Sequence, residues 1–585
     1  MSLGPPIKAT ALGLIRIVSV AGVLFCLSGW IEAQPASSAD LVFLNGKILT
    51  VDARNSIQSA LAIRGERIVA VGSDAEISLH IGDQTQVIRL DGKTVVPGLI
   101  ETHCHAIGVG QGALTETYAE LSSIAEVQEW IRRRAKELPP GQWITVPRNE
   151  LTRLKERCHP SVAELDAACR THPVLFTAAT KHALNSPGWQ RLGITRDTQS
   201  LPGIEIIRDE AGNPRLLKGG DGLLRKEMPP PVYNTEQTRA ALLPVLRRYN
   251  EVGITGIFER ASNTEGYQLY RKLRERGELT VRVTLTFRQQ MSTAEQVEQF
   301  VSQLGLKPRE GDDWVKAGPL KITVDGGIHW GTTYLSEPYG EKRVRFYALS
   351  DASYRGDLRY TVEQMQAVFS AGHRLGWQMS CHITGDAGVE RVLDALEAAD
   401  ATSPVKDRRF TLIHAYFPTR QTVQRAHRLG VCVDTQSYLY YKDSDALAEI
   451  YGPRWAEQFI GVGDWLRGGV PVAINADHMI GLDPDHAMNS FNPFLALYIA
   501  VSRKNDHGRV YGAHQKLSRL DALRCVTANA AYLSFDEKKT GSLEPGKLAD
   551  FVVLDHDYLT CPEEDIRLIK PLRTVVGGKT VYQRK

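Results

Sequence analysis

The chain has 585 residues, 43% of them apolar and 23% charged, with a formal net charge of +3 at pH 7. This length exceeds what one compact core holds, so two or more domains are expected. The small net charge and the lack of a dense basic cluster argue against a nucleic-acid partner.

At the N-terminus, Lys8 and Arg16 lead into an apolar stretch over 17–30, followed by small and polar residues up to Asp40. The pattern reads as a secretory signal peptide over 1–39, cleaved after Ala33 or Ala39. The stretch is shorter than the ~20 residues of a spanning helix. An exported protein is therefore expected, periplasmic or secreted, with no membrane contact after cleavage; an uncleaved anchor is the alternative. Cys26 follows Phe25, a poor fit to a lipoprotein box. Cleavage leaves seven scattered cysteines, an odd set that is no disulfide framework, with a Cys158–Cys169 pair left open.

Next come short strands with hairpin signals. Segments 41–44 and 47–51 flank Asn45-Gly46, 60–63 and 67–71 flank Gly65-Glu66, and 87–90 and 94–96 flank Asp91-Gly92. The C-terminus has the same character, with 550–554 and then 573–576 and 579–582 around Gly577-Gly578. Segments 40–97 and 535–585 are thus expected to form one small β-sandwich from both chain ends.

Between them, over 98–534, strand-like runs alternate with helical patterns as in repeated βα units. Eight runs stand out, at 95–100, 254–258, 279–286, 320–324, 377–381, 410–413, 431–434 and 470–475. After the fifth, Val389, Val392, Leu393 and Leu396 form one buried helical stripe. The expected fold is α/β, a (β/α)8 TIM-like barrel. Some 150 residues separate the first run from the second, so segment 110–240 is read as an inserted subdomain over the barrel mouth.

Five of the runs lead into residues of metal-binding character: His103 and His105, Lys321, His382, His414 and Asp477. Strand alternation puts His103 and His105 on one side and Cys104 on the other, so Cys104 reads as core. The remaining four join them only if parallel strands bring their C-terminal ends to one rim, as a barrel does. Imidazole and carboxylate suit zinc and related divalent ions and can leave a position for water, which would ionise near neutral pH and attack a carbonyl carbon. An ammonium cannot ligate a cation. Lys321 would first need to become a carbamate, and spacing alone favours an ordinary snorkelling or ion-paired lysine.

With these motifs in hand, the chain resembles the amidohydrolase superfamily, in particular its YtcJ-like branch, which includes N-substituted formamide deformylases. Pro97-Gly98-Leu99-Ile100-Glu101-Thr102-His103-Cys104-His105 is similar to the opening metal motif, and Lys181-His182-Ala183-Leu184-Asn185-Ser186 to the branch's insert motif. Lys321-Ile322-Thr323-Val324-Asp325-Gly326 resembles the fourth-strand lysine segment. His382-Ile383-Thr384-Gly385-Asp386-Ala387 and Ile413-His414-Ala415 match the segments carrying the later histidines, and 541–550 the return into the small domain. The resemblance covers about 40–585.

It implies a metal-dependent hydrolase of a small molecule in which His103, His105, His382, His414 and Asp477 hold one or two divalent ions, with Lys321 as a carbamylated bridge. It also implies that Asp477 moves a proton from the activated water to the leaving nitrogen, and that His414 or His182 polarises the substrate carbonyl; an ordinary surface or hinge histidine is the equal reading of His182. Two departures bear on substrate. Asn475-Ala476 precede Asp477 where the family usually has a serine, and Gly327-Ile328-His329-Trp330 replaces a common arginine-containing segment. His329 and Trp330, after the fourth strand, either line the substrate pocket or pack under the insert, and His478 and His486, just past the last strand, are further candidates for touching substrate.

The leading expectation is hydrolysis of a linear or N-substituted amide at a non-peptide C–N bond. A cyclic amide, ester or carbamate would use the same activated water. A barrel that binds or regulates without catalysis is the competing class. A homo-oligomer stays open.

Overall fold

Eight parallel strands, each buried on both faces, make the centre of the computed structural model, which describes residues 38–115, 118–200 and 202–585. They are β1 (Leu99–Cys104), β2 (Ile254–Ser262), β3 (Arg282–Arg288), β4 (Val315–Thr323), β5 (Met379–Ile383), β6 (Thr411–His414), β7 (Cys432–Thr435) and β8 (Val472–Ile474). They hydrogen-bond in chain order. Between the ends of the sheet, Cys104 bridges His478 in parallel; His105 N–H donates to the His478 carbonyl (2.9 Å) and His478 N–H to the His103 carbonyl (3.2 Å). The expected barrel is therefore present and nearly closed. Helices cover the outside, so both faces of its strands are buried. The stripe of Val389, Val392, Leu393 and Leu396 is buried on the helix Asp386–Asp400, as its spacing required. The leader expected over 1–39 lies, except for its last two residues, outside the described residues.

Strand bounds differ from the sequence reading by up to five residues: β4 begins at Val315 rather than 320, and β2 runs on to Ser262 rather than 258. The clearest difference is at the first. Thr94–Pro97 does not run on into β1; it belongs to a separate six-stranded sheet, and the chain changes sheets at Gly98. A Cβ at Gly98 would stand 2.1 Å from Thr255 Oγ1, so only glycine lets β1 approach β2 there. In that second sheet Phe551–Leu554 pairs antiparallel with Thr94–Pro97, with Val552 opposite Val96, so strands from the two chain ends lie side by side. A four-stranded sheet (Leu41–Leu44, Ala60–Arg64, Arg67–Gly72, Gln86–Arg89) packs with it through Phe43, Leu61, Ile63, Val95, Phe551 and Val575.

The segment after β1 forms the helix Ala106–Ala113 and then a five-stranded sheet that includes Val174–Ala178 and Lys181–Leu184. It ends earlier than residue 240. Thr235–Glu251, capped by Asn234, packs on Ala106–Ala113 and leads into β2 as the barrel's own helix. Cys158, exposed, and Cys169, buried, are both free thiols, so the pair left open from the sequence is not formed.

Candidate metal centre at the barrel mouth

His103, Lys321, His382 and His414 lie among the last three residues of their strands rather than after them, and Asp477 follows β8 by three residues. Ligand-capable atoms of His103, His414 and Asp477 lie within 4.8 Å of one another. Asp477 Oδ1 is 3.3 Å from His103 Nε2 and 3.5 Å from His105 Nε2. Lys321 Nζ is 3.5 Å from His103 Nε2. The His382 ring centroid is 4.4 Å from that of His414. All six expected residues thus meet at the rim, three of them in one tight group.

Hydrogen bonds decide which ring nitrogen each histidine offers. His414 Nδ1 lies 2.8 Å from Gln436 Oε1, an acceptor, so Nδ1 carries the proton and Nε2 keeps its lone pair. His382 Nε2 donates to the Gly326 carbonyl at 2.8 Å, leaving Nδ1 as its free lone pair. Both His414 (φ 84°) and Asp477 (φ 52°) have left-handed backbones, a strain that only a constraining surround maintains.

That surround is a buried polar network inside the barrel. Arg260 donates to the Thr102 carbonyl (2.9 Å), Thr286 Oγ1 (3.0 Å) and Asp434 (2.6 Å). Asp434 also accepts from Thr102 and Asn475. Asn475 Oδ1 accepts from Gln436 Nε2 (2.9 Å) and from the Asp477 N–H (3.1 Å). Glu101 accepts from the backbone of His103 (2.9 Å) and of Ala476 (3.0 Å), tying β1 to the chain after β8. Asp325 clamps β4 to the chain after β5 by accepting from Thr384 and Gly385, each at 2.9 Å. Arg260, Asp434 and Gln436 were not picked from sequence, and Glu101 and Asp325 only sit inside the quoted motifs; no local pattern signals that Glu101 meets Ala476, 375 residues on. Tyr416 was missed too. Its ring packs on His414 (5.6 Å) and Phe459 (5.2 Å), and its hydroxyl has no hydrogen-bond partner among the described residues.

Other expected residues are engaged elsewhere. His478 is fully buried, with Nδ1 2.9 Å from Tyr249 Oη, Nε2 2.7 Å from the Gly481 carbonyl and its ring 4.3 Å from Phe491. It closes the barrel and has no free edge for substrate, which corrects the expectation. His182 Nδ1 lies 2.9 Å from Thr177 Oγ1 within the insert, and its Nε2 stands 3.6 Å from the exposed Asp221 carboxylate, without a hydrogen bond. His329 Nε2 is 2.8 Å from Asp443 Oδ2 in a buried pair, which raises its pKa against the opposing effect of burial. Trp330 lies under the Arg148 guanidinium (5.7 Å), beside a cleft lined by Arg148, Glu150, Arg153, Lys442 and Met488. His486 is mostly exposed and 3.8 Å from Glu120. Cys104 donates to the Phe258 carbonyl, as a core residue.

Burial shapes the electrostatics. It pushes His414 down to about 4 and holds His103 and His382 well below the usual imidazole range, so all three imidazoles are neutral at pH 7. Burial, then Arg260, brings Lys321 down to about 7. Burial lifts Glu101 to about 8. A cation fits this set. Asp477 Oδ1 is enclosed without a hydrogen bond while neutral imidazole nitrogens crowd it, an arrangement a divalent ion would satisfy. Ligand atoms around a tetrahedral zinc stand roughly 3.3 Å apart, close to the Asp477 contacts.

Comparison with known proteins agrees. A profile described as the amidohydrolase family matches residues 86–582. The chain is 27% identical to the N-substituted formamide deformylase of Arthrobacter pascens, over 93% of this chain and 98% of that one. It is 24% identical to the putative amidohydrolase YtcJ of Bacillus subtilis, over 93% and 99%. A crystal structure of a metal-dependent hydrolase from Pyrococcus horikoshii has the same fold, with a TM-score of 0.65 at 20% identity over 90% of this chain and 99% of that one.

Proposed function

Because the chain belongs to the amidohydrolase family, we propose that it is an exported, metal-dependent hydrolase of a non-peptide C–N bond in a small molecule, a linear or N-substituted amide. The observation that carries this reading is the meeting of His103, His414 and Asp477 at the strand ends, with an enclosed carboxylate oxygen left without a hydrogen bond. The Arthrobacter relative, named for cleaving formamides, supports the bond class.

In this reading His103 and His105, His382 through Nδ1, His414 through Nε2 and Asp477 hold one or two divalent ions, zinc first among them. Lys321 would join them as a carbamate, its neutral amine adding carbon dioxide and releasing a proton. The ion supplies Lewis acidity, which makes water a nucleophile near neutral pH. Asp477, ionised at the rim, takes the proton from the attacking water and delivers it to the departing nitrogen. Gln436 keeps the His414 lone pair turned inward, and the Arg260–Asp434–Asn475 network keeps Asp477 in place.

The test is metal removal. Purified chain is expected to carry zinc or a related divalent ion, to hydrolyse members of an amide, lactam and ester panel, to lose that activity on chelation and to regain it with zinc. Protein that binds no metal and gains no activity with added zinc ends the reading.

A further inference from the structure

Asp477 keeps a left-handed backbone, and two asparagine side chains hold it from opposite sides. Asn475 Oδ1 accepts from its N–H at 3.1 Å, and Asn489 Nδ2 donates to its carbonyl at 3.0 Å. Asn475 is anchored in the barrel by Gln436 and Asp434. Asn489 is anchored by the insert: its Oδ1 accepts from Arg153 Nη2 at 3.2 Å, while Arg153 Nη1 donates to the neighbouring Met488 carbonyl. The orientation of the Asn489 amide follows from its partners, since an arginine only donates and a carbonyl only accepts. Arg153 is itself fixed. Its Nε and Nη2 reach the two oxygens of Asp443, each at 3.2 Å, and that carboxylate also receives Thr152 Oγ1 (2.7 Å) and His329 Nε2 (2.8 Å).

We propose that Arg153, carried on the insert, is a positioning residue for Asp477 and acts through Asn489. Docking alone would need only the Arg153–Asp443 pair. The second prong of the guanidinium extends past it to the loop that carries Asp477, so the insert forms half of the clamp on the strained residue. His329 then supports the clamp by holding Asp443, which accounts for a histidine beside the mouth whose Nε2 is spent on a carboxylate. The inference rests on the functional reading above for what Asp477 does, but the geometry it concerns is independent of substrate.

Asn489→Ala removes the donor and leaves the Arg153–Asp443 pair intact, so the fold is kept. Expected are zinc lost more readily to a competing chelator and, at saturating zinc, kcat at least about tenfold lower with KM within about twofold, the size of one lost hydrogen bond. Arg153→Lys, which keeps the charge but not the fork, is expected to act in the same direction. The double variant should be no slower than the slower single one, because both break one chain of contacts. Wild-type kcat and zinc affinity in Asn489→Ala, or losses that multiply in the double variant, overturn the proposal. If the wild-type chain neither binds zinc nor turns over, the functional reading has failed instead, and amide hydrogen exchange over 476–489 decides the positioning: faster exchange in both single variants supports it, unchanged exchange overturns it.

Discussion

Lys321 and Asp477 show what a single residue contributes here. A lysine near the C-terminal end of a barrel strand, 4% exposed and 3.5 Å from His103 Nε2, would be costly as an ammonium. With its pKa near 7 it is substantially a free amine at neutral pH, the form that carbamate formation requires. Lys321→Ala is therefore expected to lower metal content and abolish turnover, with partial rescue by small carboxylic acids that replace the carbamate oxygens; wild-type activity would show the lysine to be structural. Asp477→Asn keeps the size and the backbone contacts but removes the base. Substrate should still bind, measured by calorimetry with metal-loaded protein, while kcat falls at least ~100-fold. Unchanged turnover would remove Asp477 from proton transfer.

At the level of elements, the insert is where a titration should register. His159 Nε2 donates to the Ala178 carbonyl at 3.0 Å, and its ring packs against Phe176. Burial, with Lys181, Arg215 and His182 nearby, lowers it to about 4 from an unfolded value near 6.5. Between those values the unfolded segment binds a proton that the folded one refuses. This contribution to stability is complete above pH 6.5 and is lost as pH falls toward 4. Limited proteolysis of the insert is expected to speed up over that window and to lose part of its pH dependence in His159→Gln; a flat profile in the wild type would contradict it. His182 sits in a motif that resembles the branch's insert signature, yet antiparallel pairing opposite Thr177 turns its ring into the insert's own contacts.

For the whole molecule, the two chain ends close one sheet beneath the barrel. Phe551 is fully buried, meets Phe43 edge-on at 5.0 Å and stands opposite Pro97, one residue from the glycine that opens β1. Phe551→Ala should cost about 3–5 kcal/mol of stability, read from denaturant midpoints, with metal stoichiometry of the folded fraction unchanged. An unaffected midpoint would mean that the small sheets do not support the barrel.

The sequence by itself determined the eight βα units, the six residues that converge and the family resemblance, because strand alternation and ligand chemistry are local and survive without knowledge of partners. His103 and His105 were legible as a pair for that reason, and Cys104 as core. Only the tertiary structure decided which nitrogen His382 and His414 offer, that His478 closes the barrel instead of meeting substrate, and that Cys158 and Cys169 stay apart. It alone revealed Arg260 with Asp434, Glu101 with Ala476 and Arg153 with Asp443, partners separated by 174, 375 and 290 residues. Such contacts depend on register and on which face of a strand turns inward, and a shift of one residue reverses both.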